Sequence, residues 1–263
     1  MLHKMELIKI LPNKLKASVI HFSLSFIVFV FLFFIITQIW YPGPYFESDG
    51  GWQGIQLVIA IDLILGPLMT FLIFNPNKKR REIISDLSIV ALIQISVLSW
   101  GVYTIYDQRP FAISFYKMAF YVITHDQIAV QNTNEKLLYQ LSEEKPPILF
   151  SRPPRTSEEY DAYVRQINNY PISDWAVDSL FESTSNNLEE LNNISINTIN
   201  RFNNDTEIGK ELQQKMDSIT KTHASFTVVP FVGRYNEALL FIDGGTGKLI
   251  DYIVLEQHSI FER

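Results

Sequence analysis

Three uninterrupted apolar runs occupy the first 106 residues of this chain: Ala17 to Trp40, about Ile55 to Phe74, and about Ile83 to Tyr106. A helix rises roughly 1.5 Å per residue, so about 20 residues cross the roughly 30 Å hydrocarbon layer of a bilayer. Each run reaches that length. Each is also apolar all round, where a surface helix of a soluble domain keeps one polar face. The sequence therefore predicts three transmembrane helices, joined by loops short enough to make them antiparallel neighbours.

The charges between the runs orient them. Lys4, Lys9, Lys14 and Lys16 precede the first run against a single Glu6, and Lys78, Lys79, Arg80 and Arg81 separate the second from the third. The segment from Tyr41 to Gly51 has no Lys or Arg and carries Glu47 and Asp49. Basic residues stay cytoplasmic, so the N-terminus and the Lys78 to Arg81 loop are expected inside and everything after Tyr106 outside. A cleaved signal peptide fits the first run poorly. Its apolar stretch exceeds the roughly 7 to 15 residues of a signal core, and Trp40-Tyr41-Pro42-Gly43-Pro44 replaces a small-residue cleavage site.

The expected domains are a membrane domain over residues 1–106 and an extracytoplasmic domain over 107–263. The outer segment is the size of one ordinary domain and has no basic patch, which argues against a nucleic-acid partner. The chain has no cysteine, which excludes thiol catalysis, thiolate zinc sites and iron-sulfur clusters.

Beyond Asp107 the texture is that of an α+β fold with an antiparallel sheet. Phe111 to Ile123 and Ile128 to Val130 read as strands of a hairpin turning at Thr124 to Gln127. Thr156 or Ser157, followed by Glu158 and Glu159, starts a helix that runs to about Asn169 before Pro171. Ser173 to Phe181 reads as a short helix, and the asparagine-rich stretch from Ser183 to Asn204 as an exposed loop or frayed helix. Asp205 or Thr206 caps a helix with Ile208, Leu212, Met216 and Ile219 on one face. Phe226 to Val232, Ala238 to Asp243 and Lys248 to Leu255 form a three-stranded meander.

No catalytic constellation emerges, so the chain reads as a non-enzyme without cofactor, metal or an evident small-molecule substrate. Asp243-Gly244-Gly245-Thr246-Gly247-Lys248 departs from the phosphate-loop pattern at Ile242 and Leu249 and reads as a tight turn. The five histidines lack metal-ligand spacing. Glu143-Glu144, Glu158-Glu159 and Glu189-Glu190 are adjacent and diverge on any regular element, so they read as solvated surface.

Asp62 is the exception. It lies inside the second run, where a carboxylate costs about 2.5 to 3.5 kcal/mol on insertion scales, so it needs a partner, a polar cavity or a proton. Gln94, Ser96, Ser99 and Tyr103 of the third run are the candidate partners that would staple the bundle; contact with a client protein is the alternative. Gly66-Pro67, one turn on, offers a close-approach surface and a kink.

Three stretches carry a resemblance: Trp40-Tyr41-Pro42-Gly43-Pro44; Asp62 to Thr70 with Phe74-Asn75-Pro76 after it; and Tyr103-Thr104-Ile105-Tyr106 leading to Arg109-Pro110. Together they resemble the TfpX/TfpZ family of type IV pilin accessory proteins over roughly residues 14–125. That resemblance implies a multi-pass inner-membrane protein of a Gram-negative bacterium with a periplasmic C-terminal domain. It would act as assembly factor or chaperone for a cognate type IV pilin subunit, its other contacts being membrane lipids. Asp62, Gly66, Pro67, Trp40, Tyr41, Pro42, Gly43, Pro44 and Arg109 are then expected to contact the pilin or staple the bundle, with the Ala238 to Leu255 hairpin edge touching the pilin head. The competing readings are a membrane-anchored ligand-binding sensor and an envelope enzyme. The sensor leaves too little chain inside for an output domain.

Overall fold

The computed structural model describes residues 2–202 and 206–255, with the side chains of residues 2–9 excepted. The chain folds as two compact units, Met1–Pro42 with Gly51–Tyr106, and Gly43–Gly50 with Asp107–Arg263. The loop after the first apolar helix thus belongs to the second unit.

The first unit contains three helices long and apolar enough to cross a membrane, Ile10–Trp40, Gly51–Ile73 and Arg80–Asp107. The first is α1 (Leu2–Ile35), closed by a π-helical turn at Ile36–Trp40. A short helix, α2 (Tyr45–Ser48), lies in the loop that follows. The second long helix is composite: α3 (Gly51–Val58), a π-helical stretch Ile59–Leu65, then α4 (Gly66–Ile73). The third is α5 (Arg80–Asp107). A Cβ on Gly54 would touch Ile105, and one on Gly101 would touch Leu57 and Ile61, so missing side chains let the second and third helices approach closely. Trp40 meets Tyr106 edge to face at 5.3 Å, and the buried Tyr41 hydroxyl donates to the Ile105 carbonyl at 3.0 Å. The π turn at the end of α1 aims these two aromatics at the end of α5.

The second unit is α+β, and its sheet is mixed where an antiparallel one was expected. Seven strands run in the order β4-β3-β1-β2-β5-β6-β7. They are β1 (Pro110–Tyr116), β2 (Ala119–Thr124), β3 (Ile148–Ser151), β4 (Phe181–Ser183), β5 (Phe226–Val232), β6 (Glu237–Asp243) and β7 (Leu249–Leu255). β1 pairs with β3 and β2 with β5 in parallel, the remaining neighbours antiparallel. The parallel pairs follow from the connections. β2 itself returns the chain to the start of β1, with Thr124 opposite Pro110, and helices α6 (His125–Ala129) and α7 (Glu135–Leu141) then take it to the other side of β1, where β3 starts beside Ile113.

The expected first hairpin is also displaced. The run from Pro110 to Thr124 folds on itself at Lys117-Met118, with Lys117 at φ 59°, a turn unmarked by glycine or asparagine. Thr124 and Gln127 form a capping box that starts α6, so Ile128 lies in a helix.

The asparagine-rich stretch departs further from expectation. After a short 3₁₀ segment it forms α9 (Leu188–Ile199), which packs on β5 through the buried Leu191, Ser195 and Thr198. The Ser195 hydroxyl accepts from the Val228 amide at 2.7 Å. Two of these three buried positions, Ser195 and Thr198, are small and polar, which leaves no apolar period, so tertiary packing decides the helix. Asn203, Asn204 and Asp205 lie outside the described residues. Thr206 caps α10 (Glu207–Ile219) by accepting from the Gly209 amide, and Leu212 and Ile219 join Val228, Leu239, Phe241 and Ile253 in one apolar cluster.

Helix α8 (Ser157–Asn169) is capped by Thr156, and two 3₁₀ turns, Asp174–Ala176 and Asp178–Leu180, occupy the stretch expected as a short helix. Glu159 is not merely solvated surface: it chelates Arg152 at 2.7 and 2.9 Å and accepts from the Arg155 amide. The Arg152 guanidinium, helped by that amide, holds the Glu159 carboxyl down at about 2 from the ordinary 4.5. A carboxyl depressed in the folded state stabilises it above the ordinary value, and the stabilisation fades as pH falls toward the folded value. Protection of the amides at the start of α8 against exchange should therefore fall between pH 4.5 and about 2, and Glu159→Gln should flatten that dependence. A flat wild-type profile would contradict the assignment.

Candidate functional site

A polar stripe runs down the phenylalanine-rich first helix. Lys14, Ser18, His21 and Ser25 recur at spacings of four, three and four, which places them on one face. All four reach the second helix. Lys14 Nζ donates to the Leu72 carbonyl at 3.0 Å, Ser18 Oγ to the Pro67 carbonyl at 2.9 Å, and His21 Nδ1 pairs with Thr70 Oγ1 at 2.6 Å. Ser25 Oγ donates to Asp62 Oδ1 at 3.0 Å. Polar groups in an apolar medium find one another across helices, and these four pairs align the first two helices along half their length.

Asp62 sits midway between Gly51 and Ile73, within the π-helical stretch, and is 4% exposed. π-helical geometry is rare and is found frequently at functional sites. Its second donor is Gln94 of α5, whose Nε2 lies 2.6 Å from the same oxygen that Ser25 uses. Gly66 makes this possible: a Cβ there would overlap the Gln94 amide. The Gly66-Pro67 pair thus has a division of labour, Gly66 seating Gln94 and the Pro67 carbonyl receiving Ser18.

These groups floor a cavity of about 790 Å³ inside the first unit. Its walls are apolar, with Ala17, Leu24 and Val28 on the first helix and Ala91, Ile95 and Leu98 on the third. Lys16 and His21 also line it. Two buried side-chain atoms of its floor, Asp62 Oδ2 and Gln94 Oε1, lack hydrogen-bond partners among the described residues.

Of the residues singled out from sequence, Asp62, Gly66 and Pro67 come together here. Trp40 and Tyr41 lie instead at the end of the first helix, on Tyr106 and Ile105. Of the partners expected for Asp62 only Gln94 is one; Ser96 donates to the Leu92 carbonyl of its own helix and Tyr103 is exposed. Ser25 is not among those expected, although the spacing of the polar stripe marks it.

Gly43, Pro44 and Arg109 belong to the second unit. There the segment Gly43–Gly50 forms a buried clasp. Gly43 turns with φ 60°, Tyr45 packs edge-on against Phe231 at 5.6 Å, and Ser48 and Asp49 are fully buried. The Ser48 carbonyl accepts from the Tyr235 and Asn236 amides, an approach that requires Gly233, where a Cβ would strike that carbonyl. Asp49 accepts from Arg234 through Nε at 3.1 Å and Nη2 at 3.0 Å, and from its backbone amide. Burial pushes the Asp49 carboxyl up from its ordinary value, and the Arg234 hydrogen bonds draw it back. Arg109 is half-buried at the head of β1. The Asp243 to Lys248 segment is the expected turn, its Asp243 carboxylate accepting from the Gly245 and Thr246 amides.

Residues 11–50 match the model of the family described as fimbrial assembly protein FimB, a segment that includes Lys14, Ser18, His21, Ser25 and Asp49. Three curated proteins of Dichelobacter nodosus are similar to the chain. The fimbrial assembly protein of serogroups C1 and C2 is 42% identical over 100 residues, 38% of this chain and 76% of that protein. The serogroup E1 protein is 43% identical over 100 residues, and the serogroup I protein 37% identical over 131 residues. The aligned stretches cover 39% and 48% of those two relatives, and 38% and 50% of this chain. No solved structure matches the chain. The identity to the serogroup C1 and C2 protein, extended over three quarters of its length, places this chain in the fimbrial assembly protein family.

Proposed function

We propose that this chain is an inner-membrane accessory protein of the TfpX/TfpZ kind, which holds a cognate type IV pilin subunit in the membrane and promotes its assembly into fimbriae. The observation that carries the reading is the Asp62-floored cavity. It is built by three helices long enough to span a bilayer, in a chain of the fimbrial assembly family. In this reading the N-terminus and the loop with Lys78 to Arg81 are cytoplasmic and the second unit is periplasmic, as the distribution of basic residues favours. The work is binding rather than catalysis.

A pilin subunit expressed from the same genome should co-purify with the full-length chain from detergent-solubilised membranes. Deleting the gene should lower both the pilin level and surface fimbriation several-fold, with restoration by the wild-type gene. If the deletion strain keeps its pilin level and fimbriae, and nothing of the pilin co-purifies, the reading is wrong.

A further inference from the structure

The cavity floor carries an unanswered demand for hydrogen-bond donors. Both donors that reach Asp62, Ser25 Oγ and Gln94 Nε2, converge on Oδ1, which leaves Oδ2 bare. Gln94 directs its amide nitrogen to Asp62, and its Oε1 is also bare. Both unmatched atoms are acceptors, both are buried, and Asp62 is 4% exposed. In hydrocarbon surroundings an unpaired acceptor is costly, and water to satisfy it is scarce. The other polar side chains of the stripe are already matched: His21 to Thr70, Ser18 to the Pro67 carbonyl.

A lipid acyl chain would fill the apolar walls and leave both acceptors bare. A second protein helix with a donor at mid-membrane depth would satisfy walls and floor together. Ala17 on the first helix and Ala91 on the third both line the cavity, and small residues let a helix backbone come close. We propose that the cavity receives one transmembrane helix of a partner protein, and that a hydrogen-bond donor on that helix is inserted between Asp62 Oδ2 and Gln94 Oε1. Asp62 then selects its client by chemistry as well as by shape, since a purely apolar helix leaves the acceptors unmatched. This inference rests on the reading that the client is a membrane-anchored pilin, and it adds the side-chain chemistry that the client helix must carry.

The test uses the full-length chain in phosphatidylethanolamine and phosphatidylglycerol liposomes, with two synthetic transmembrane helices as probes. One is built of leucine and alanine throughout; the other carries a single central lysine, a donor with no acceptor. Energy transfer from a labelled chain should show the lysine helix bound about tenfold more tightly, the scale of an interhelical hydrogen bond. Asp62→Asn should abolish the preference, and the exchange Asp62→Asn with Gln94→Glu should restore it by returning a carboxylate to the floor. A photocrosslinker at Leu98, which lines the cavity, should capture the lysine helix, and one at the exposed Ile93 should not.

Equal binding of the two helices, a preference untouched by Asp62→Asn, or capture of lipid alone at Leu98 would each overturn the inference. In cells the same Leu98 crosslinker separates it from the pilin reading. Pilin captured there independently of Asp62 keeps the pilin reading and defeats the donor requirement. A donor preference in liposomes without pilin capture in cells does the reverse.

Discussion

Arg234→Ala should destabilise the second unit by about 3 kcal/mol, the lower end of the cost of leaving a buried charge without its partner. Asp49 is fully buried and receives Nε and Nη2 of Arg234 in addition to the backbone amide of residue 234. Truncation removes the guanidinium and leaves the carboxylate in place. It also frees the Asp49 carbonyl and the Gln108 side chain, both of which Arg234 now engages. Arg234 is one-third exposed, so water softens the loss and the lower end of the range is the appropriate one.

The cycle with Asp49→Asn separates the pair from its parts. If the charges are coupled, Arg234→Ala costs far less in a chain that already carries Asp49→Asn than in the wild type. Acidity gives a second signature. Burial raises the Asp49 carboxyl and Arg234 opposes it, so the raised value climbs further once Arg234 is gone. A carboxyl raised in the folded state favours folding at low pH, and that contribution is lost as pH rises through the raised value. The variant should therefore recover stability on mild acidification, where the wild type gains less. Chemical denaturation of the full-length chain in detergent, followed by exchange protection of β5 and β6, reads both effects. A loss under about 1 kcal/mol at neutral pH, the scale of an exposed ion pair, would show the clasp to be ornamental.

The clasp also marks where local pattern stops being informative. Asp49 and Arg234 are separated by 185 positions, and each stands in a stretch that reads as an ordinary polar turn. Nothing in either segment announces the other, because their meeting depends on the sheet being assembled. The three apolar helices were legible, since a bilayer imposes length and composition on each segment separately. Asp62 was legible for the same reason, as an exception to that rule. Its place in a π-helical stretch was not, because apolar composition does not encode one. The strands of the final meander were legible from the turn residues that punctuate them. The parallel pairs were not, since they depend on which strands a crossover brings side by side.

Gly66→Ala should cut fimbriation as severely as Gln94→Leu while leaving the folded chain nearly as stable as wild type. The two terms in its stability oppose each other. Alanine in a helix is favoured over glycine by roughly 0.5 to 1 kcal/mol. Against this, the added methyl would overlap the Gln94 amide, which must move. What moves is the far end of a flexible side chain, so the steric cost is small, but the displacement takes Gln94 Nε2 away from Asp62 Oδ1. An interhelical hydrogen bond of this kind is worth roughly 0.6 to 2 kcal/mol, close to what the helix gains. Stability therefore conceals the change that function reveals: the cavity floor loses one acceptor and the orientation of the other. Because both substitutions act on the same contact, the Gly66→Ala and Gln94→Leu double variant should be no worse than either alone, in fimbriae per cell and in binding of a donor-bearing helix. Additive losses would mean that Gly66 serves some purpose other than seating Gln94, and undiminished fimbriation in Gly66→Ala beside a defective Gln94→Leu would sink the assignment.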